Sequence, residues 1–517
     1  MPTSIVNNIS SKELLLESRL PLSIAIGKFF VKFLKNDKGA INIITSSVFD
    51  AIRLKEEISW FYPELNINLL PDWETLPFDQ ISPHPDLTSE RLLTLYQMTQ
   101  KEFDINLLPI STVLHRMPPR TYIEQYSFQF KKGDTVDISS FKDRLIANGY
   151  LYVDKVINPG EYAMRGGIID IFPMGSIVPY RIDFFDNEID SLRTFDVDTQ
   201  RSLYPVNEIK LLPAKECPLD DRGITAFRQN YREKFEGDPS KSKIYKAISK
   251  GIPFAGMEWY LPLFYDTTDT IFDYLDPKDI TFKSGNLAAA AQNYWNETEG
   301  RFKLYAYDAE RPILSPEDFL LRPDIFFKSL NDFPELKRKT NELQETLPDL
   351  GIDRTNNFPL LRLKNYQSQQ KKKVLICAEG LGRRESLSDL LKQSEIDHQS
   401  IDTWEEFLLD PNQVSLIVSP LHNGFVSNEF IVITEVELFP NFIKQSKRST
   451  IDKNFNSEVI VKDLTELNID DPVVHEHHGV GRYKGLVDLN LGDGVTEFLQ
   501  LHYANEDKLY VPVSQLH

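Results

Sequence analysis

The stretch Leu22-Ser-Ile-Ala-Ile-Gly27-Lys28-Phe29 holds a glycine and a lysine where a phosphate-cradling G-x-x-x-x-G-K-[ST] loop would have them. Such a loop grips a triphosphate with backbone N–H groups that a glycine lets turn inward, and holds magnesium with a Ser or Thr hydroxyl. Here Leu22 replaces the first glycine and Phe29 replaces the hydroxyl residue. Gly27 and Lys28 are therefore read as the remnant of an inactive nucleotide loop, with no ATP bound. Asp72-Trp73-Glu74 offers two carboxylates, but no second motif completes an acid–base pair, so a packed connector is expected. Thr434-Glu435-Val436-Glu437-Leu438 has the form of an acidic magnesium box, yet without a phosphate loop in the same unit it reads as a strand end and turn. His475, His477 and His478 lie close together, and on a strand the first two share a face. No carboxylate or cysteine completes an evident ligand set, so no metal is expected. No catalytic residue is assigned.

The elements that would carry such groups sit in a long acidic chain. At about 150 residues per domain, 517 residues suggest three or four domains, and 41% hydrophobic content is enough for real cores. No apolar run reaches the length of a membrane span, and MPTSIVNNISSKELLLE has no basic end followed by an apolar block. Cys217 and Cys377 are far apart in apolar contexts, which fits a reducing cytoplasmic interior. A net charge of −19 repels phosphate backbones unless cations are concentrated, and the longest basic run is Lys371-Lys372-Lys373. Protein partners are expected, with at most weak DNA contact.

Residues 20–118 read as α/β. Ala40–Thr45, Asn66–Leu70 and Ile105–Ile110 are candidate strands. Ser46 or Ser47 caps a helix whose apolar residues are Phe49, Ile52, Leu54, Ile58 and Phe61. The proline-dense stretch 71–98 reads as an ordered extended loop, with a helix starting at Thr88-Ser89-Glu90. Phe141–Asn148 is a helix ended by Gly149, and the aromatic run Met257–Phe264 has few basic residues, so it packs rather than stacks on bases. A polar stretch from Leu336 to Asp353 marks a linker. Lys373–Cys377, Leu416–Val418 and Phe430–Ile433 are strands of a second α/β unit, and 382–391 is a helix with Arg383 and Arg384 exposed.

The densest strand-and-turn segment is PGEYAMRGGIIDIFPMGSIVPYRIDFFDNEIDSLRTFDVDTQRSL, from Pro159 to Leu203. Gly166-Gly167 opens the apolar run Ile168–Phe172. In Arg181-Ile182-Asp183-Phe184-Phe185, alternation places Ile182 and Phe184 on one face and Arg181, Asp183 and Phe185 on the other. A turn at Asp186-Asn187 predicts a hairpin. An exposed aromatic beside an arginine is the composition of a binding hot spot. From alternation alone, the reading is that a neighbouring loop or domain covers Phe185.

This segment resembles the specificity domain shared by UvrB and the transcription-repair coupling factors, and 71–98 is also similar to the latter. The resemblance implies docking on UvrA through Arg165, Arg181 and Phe185, which reverses the covered reading of Phe185. It also implies that residues 1–119 and 213–340 form one UvrB-like, degenerate RecA-type α/β domain, into which 120–212 is inserted as an α+β UvrA-binding domain. Where UvrB carries a tyrosine-rich hairpin that threads damaged DNA, this chain has a short Pro-rich bridge.

After a small α/β domain of unassigned role (355–455) and a linker (456–470), residues 471–517 read as a small, strongly bent β module. Its strands include Phe498–Tyr503 and Lys508–Val513, joined by Ala504–Asp507. Acidic residues outnumber basic ones there, which disfavours nucleic acid. DPVVHEHHGVGRYKGL and LHYANEDKLYVPVSQLH are similar to the Tudor-like, RNA-polymerase-interacting barrel of the same family, related to CarD. By parity with Leu501, Leu499 reads as core. The resemblance instead makes Leu499 a contact to the RNA polymerase β subunit, replaceable by arginine without unfolding.

The fold class expected is thus multidomain α/β and α+β, and the function that of an adaptor segment docking on UvrA and on RNA polymerase. By resemblance, the parent protein is an ATP-dependent DNA translocase whose motor, with its ATP and magnesium and its DNA contacts, lies beyond residue 517, together with a domain that masks the UvrA site. The chain end, Ser514-Gln515-Leu516-His517, directly follows a strand and suggests truncation. Without the mask, UvrA binding would be constitutive. The alternative is a UvrB-like ATP-dependent, damage-binding helicase subunit; the degenerate loop and the absent tyrosine hairpin speak against it. A motor-less CarD-like regulator is disfavoured by the UvrB-like half.

Overall fold

The computed structural model describes residues 15–16, 20–35, 39–308, 310–338, 346–353, 357–370, 372–409, 413–439, 472–475, 479–490, 495–503 and 508–512. Residues 1–438 form one compact unit and 439–517 a second.

The first unit is built around a six-stranded parallel sheet. Its spatial order is Leu15–Leu16, Glu335–Arg338, Ile280–Ser284, Ile41–Thr45, Ile105–Pro109 and Ile67–Leu69. A parallel sheet covered on both faces needs apolar side chains in both directions. Ile41–Thr45 and Ile105–Pro109 are accordingly buried at every position. Strands from before and after the 128–211 region share this sheet, so that region is an insertion. The linker expected from Leu336 begins instead as a sheet strand, with Leu336 buried between two neighbours.

Helix Val48–Phe61 starts at Ser47, whose side chain accepts from the Asp50 N–H. Its buried stripe is Ala51, Leu54, Ile58 and Phe61, while Phe49 and Ile52 face outward. Both belong to the apolar residues of the helix but sit off the stripe that meets the sheet. A correction concerns Gly27 and Lys28, which lie inside helix Leu22–Phe33 and not in a loop. A Cβ on Gly27 would stand 2.2 Å from the Tyr62 ring, and Tyr62 Oη donates to the Ile24 carbonyl at 3.2 Å. The glycine serves close packing of two segments.

The 71–98 stretch is an anchored connector. Its helix, Pro85–Gln100, begins three residues before the expected Thr88, with His84 as cap and Pro85 in the first turn. Trp73 Nε1 donates to Glu216 at 3.3 Å, and Arg91 Nε lies 2.6 Å from the same carboxylate, all buried. Arg301 and Arg311 donate to the Pro77, Phe78 and Asp79 carbonyls and hold the loop from the other side. Met257–Phe264 is a buried 3-10 turn that packs here, with Trp259 5.2 Å from Trp73.

The second α/β part is a five-stranded sheet ordered Gln399–Ser400, Val414–Val418, Lys373–Ala378, Phe430–Thr434 and Phe425–Val426, with only the last pair antiparallel. It packs on helix Val48–Phe61 of the first α/β part through an aromatic contact in which Trp404 lies 5.8 Å from Trp60 and 4.9 Å from Phe61. Arg383 is exposed and lies 3.6 Å from the Glu435 carboxylate, while Arg384 is half-buried and paired with Asp402 at 2.8 Å. The acidic Glu435 and Glu437 accept backbone N–H groups of Glu379, Gly424 and Thr434, which gives both carboxylates structural work.

The second unit is an antiparallel meander of Pro472–His475, Gly479–Asn490, Val495–His502 and Lys508–Pro512. Tyr483, Leu499 and Leu501 form its core, and Leu499 is 2% exposed. This corrects the expectation that Leu499 can be replaced without harm to the fold: its parity with Leu501 turns it inward. The 456–470 linker, His477, His478 and the Ala504–Asp507 loop lie outside the described residues. No described helix is long and apolar enough to cross a membrane.

Two predictions follow from burial. His115 is enclosed by Trp73, Trp259 and Phe319, with Nε2 2.6 Å from Tyr294 Oη. Burial first, then the Arg91 charge, lowers its pKa to about 3 from the usual 6.5. Below pH 6.5 the unfolded chain takes up a proton that the folded chain refuses, so stability falls with pH down to about 3. Urea unfolding at several pH values should show this slope, and His115→Asn should flatten it. Secondly, Leu499→Arg buries a charge at a cost of several kcal/mol, so the four-stranded unit should lose protected amides in hydrogen exchange. Unchanged protection would return Leu499 to the surface.

Candidate protein-docking face

The inserted domain owes its shape to strand alternation. Six strands run in the order Leu151–Tyr152, Glu161–Arg165, Ile168–Ile171, Tyr180–Phe185, Glu188–Phe195 and Ser202–Pro205. Successive side chains point to opposite faces, so one face collects Tyr162, Ile169, Ile171, Ile182, Ile189 and Leu192, all buried. Helix Ile138–Ala147 covers that face with Phe141 and Leu145, and the Phe141 ring lies 6.1 Å from Phe184. Asp137 caps this helix by accepting from the Ser140 N–H at 2.8 Å.

The ladder register places the opposite face row by row. Ala163, Asp170, Arg181 and Arg193 form one row, Arg165, Ile168, Asp183 and Ser191 the next, and Phe185 with Glu188 the last. The rows end at two neighbouring two-residue turns. Gly166 has φ +62° in the first and Asp186 φ +53° in the second, the left-handed conformations that such tight turns require. Phe184 N–H donates to the Gly167 carbonyl at 2.8 Å, and a Cβ on Gly167 would press on the Phe184 carbonyl at 3.0 Å. Phe185 therefore stands at the rim beside the glycine turn.

Half of this face is covered. Val156, Ala163, Phe172 and Phe195 make a small second core, on which the Arg181 guanidinium rests 5.2 Å from the Phe195 ring. Arg181 grips Asp170 with two bonds of 2.6 and 2.9 Å and reaches Ser202 Oγ at 3.3 Å. The hydrogen bond to Asp170 raises the Arg181 pKa further above its ordinary value, so the guanidinium is charged at every working pH. The other half is open, with Phe185 75% exposed and Ile168 39% exposed. Arg165 is exposed and donates from Nη2 to the Asp154 carbonyl at 2.6 Å. Arg193 lies 3.8 Å from Asp183, which also accepts from Ser191.

Arg165, Arg181 and Phe185 thus share one face, and no loop or domain of the described residues covers Phe185. Arg181 differs from the other two in being held within the sheet. Reading the segment residue by residue overlooked Ile168. Its signal was Asp170, two positions on: a carboxylate inside an apolar run marks the outward parity, and Ile168 shares it. Leu499 stands apart, in the core of the second unit.

Other reactive groups are absorbed by packing. Cys217 and Cys377 are buried free thiols, and burial pushes both up, Cys377 to about 12, which suppresses the nucleophilic thiolate. Among the described residues, no three His, Cys, Asp or Glu converge as a metal site.

Three family models match this chain. The UvrB interaction domain covers residues 128–217, the D3 domain of MFD covers 366–438, and the CarD-like/TRCF RID domain covers 467–517. The transcription-repair-coupling factor of Haemophilus influenzae is 39% identical over 491 residues, 92% of this chain and 42% of that protein. That of Escherichia coli is 38% identical over 93% of this chain and 42% of its own length. That of Rickettsia bellii is 27% identical over 94% and 44%. The chain spans about two fifths of the length of the curated relatives it matches. An inserted sheet matched as a UvrB interaction domain, the D3 and CarD-like models following in order, and 38–39% identity along more than nine-tenths of the residues make the chain similar to one region of the transcription-repair-coupling factors.

Proposed function

We propose that this chain is an adaptor that docks on UvrA through the open face of its inserted sheet and on the RNA polymerase β subunit through its C-terminal unit. The observation that carries the first half is Phe185, 75% exposed beside Arg165 on a rigid sheet, within the residues matched as a UvrB interaction domain. A phenyl ring held on a strand loses little conformational freedom on binding, which favours it as an anchor. The second half rests on the CarD-like/TRCF RID match. In this reading polymerase contact belongs to the surface of that unit, with Leu499 supporting it from beneath as a core residue.

The first sheet then takes the role of a degenerate RecA-type scaffold, and the C-terminal meander that of a Tudor-like barrel. Release of RNA polymerase stalled at DNA lesions, driven by ATP and magnesium on a DNA translocase motor, falls to the part of the relatives that this chain does not span. This chain itself performs no catalysis, needs no cofactor, contacts DNA weakly at most and works in the cytoplasm. Close packing of Gly27 on Tyr62 supports that view against the helicase-subunit alternative, because the glycine's open side is filled by a ring.

Phe185→Ala should weaken UvrA binding by roughly a hundredfold, the scale of an aromatic hot spot. Its urea midpoint should stay unchanged, because the ring is 75% exposed. Undiminished affinity would contradict the docking face. Titration of the chain with ATP and magnesium should give no saturable signal at millimolar nucleotide; micromolar capture would favour the helicase alternative.

A further inference from the structure

Residues 222–250 carry eight basic side chains against three acidic ones, in a chain whose net charge is −19. They are scattered in sequence, so no basic run marks them, and it is the fold that gathers them. Helix Asp221–Lys234 turns Phe227 and Tyr231 inward and leaves Arg228 and Arg232, one turn apart, exposed. Helix Lys243–Ile248 lies alongside it. The Arg232 guanidinium rests 5.6 Å from the Tyr245 ring, which itself lies 5.0 Å from Tyr231. Lys246 and Lys250, which follow Tyr245, are exposed. The Asp238 carboxyl is held below its usual range first by bonds from Ser240 and then by Lys241 and Lys246, so both lysines lie toward it.

Lys234 and Lys243 are paired, with Asp318 at 2.6 Å and Glu310 at 2.7 Å. Arg228, Arg232, Lys241, Lys246 and Lys250 make no ion pair among the described residues. Neighbouring like charges left unpaired in an acidic chain call for an anion from outside. The surface between them is polar: from residue 205 to 251 no large apolar side chain is exposed, the nearest in sequence being Tyr204 and Ile252. A protein partner needs an apolar centre to anchor on, whereas a phosphate backbone is held by cations alone. We propose that Arg228, Arg232, Lys241, Lys246 and Lys250 form a weak, sequence-independent seat for the phosphate backbone of duplex DNA. This gives the weak DNA contact a place on the host domain, outside the inserted sheet. The acidic remainder of the chain opposes the contact, so it is strong only at low salt.

The test is fluorescence anisotropy of a short labelled duplex of arbitrary sequence, titrated with the whole chain over a range of salt. With about four phosphates contacted, log affinity should fall with log salt with a slope of roughly −3 to −4. Arg228→Gln with Lys246→Gln should weaken binding at low salt by at least about tenfold and make that slope shallower by about two. Lys241→Gln with Lys250→Gln, which lie outside the two helices, should do the same. Because all four side chains are exposed, the urea midpoint should hold in both variants. Lys55→Gln with Lys328→Gln, an equal loss of exposed charge on other helices, should leave binding unchanged. Equal weakening by that control pair would make the contact a property of overall charge and overturn the proposal. Loss of UvrA or RNA polymerase binding in the patch variants, with DNA binding kept, would make the patch a protein surface and also overturn it. No DNA binding by the unaltered chain at low salt would refute the seat, while leaving the UvrA-docking reading untouched.

Discussion

A strand can bury only every second side chain, and the inserted domain is organised around that limit. One parity of its six strands fills the core beneath helix Ile138–Ala147. The other parity must face either water, a second layer or a partner. The domain uses a second layer for half the face, where Val156, Ala163, Phe172 and Phe195 sit, and leaves the half near the turns uncovered. The Asp170–Arg181 pair stands at the border between them, and closes the covered half with a fork of two charge-assisted hydrogen bonds. Exposure of Phe185 and Ile168 follows from where that border falls.

A docking face transmits position only if its mount is stiff. The insertion returns to the host at a buried knot, where the Glu216 carboxylate receives both Arg91 and the Trp73 indole, and Tyr265 Oη donates to the Glu216 carbonyl. Met174 and Gly175, from the far side of the inserted sheet, are hydrogen-bonded to Tyr150 and to Ser89 of the host helix. These bonds connect the 71–98 stretch, the insertion and the host domain in one network. The same stretch that holds the two carboxylates Asp72 and Glu74 is thus a mounting bracket, with Arg301 and Arg311 fixing its outer loop.

Patterns with a strict period were legible in the sequence. The hairpin at Asp186-Asn187, the buried strands of the first sheet and the parity of Ile182 and Phe184 all follow from period-two or continuous apolar runs. What escaped depends on partners distant in sequence. Gly27 looked like a phosphate-loop glycine until Tyr62, thirty-five positions on, filled the space where a Cβ would go. Phe49 and Ile52 have helical spacing but lie off the stripe that meets the sheet, which only the packing geometry reveals. Leu336 looked like linker because its neighbours are charged, yet it is the buried residue of a short strand held between two parallel neighbours. For Leu499, parity alone pointed to the core, and the structure agrees with parity. Arg181 and Arg165 are equivalent as letters, and separate only once Asp170 is seen across the ladder.

The central proposal is that this chain presents two protein-docking surfaces on separate compact units and itself transforms no substrate. The most direct measurement is sedimentation of the purified chain mixed with UvrA and RNA polymerase together. The account predicts a boundary that contains all three, because the two faces belong to different units and need not compete. Two separate binary complexes that displace one another, or sedimentation of the chain alone, would contradict it.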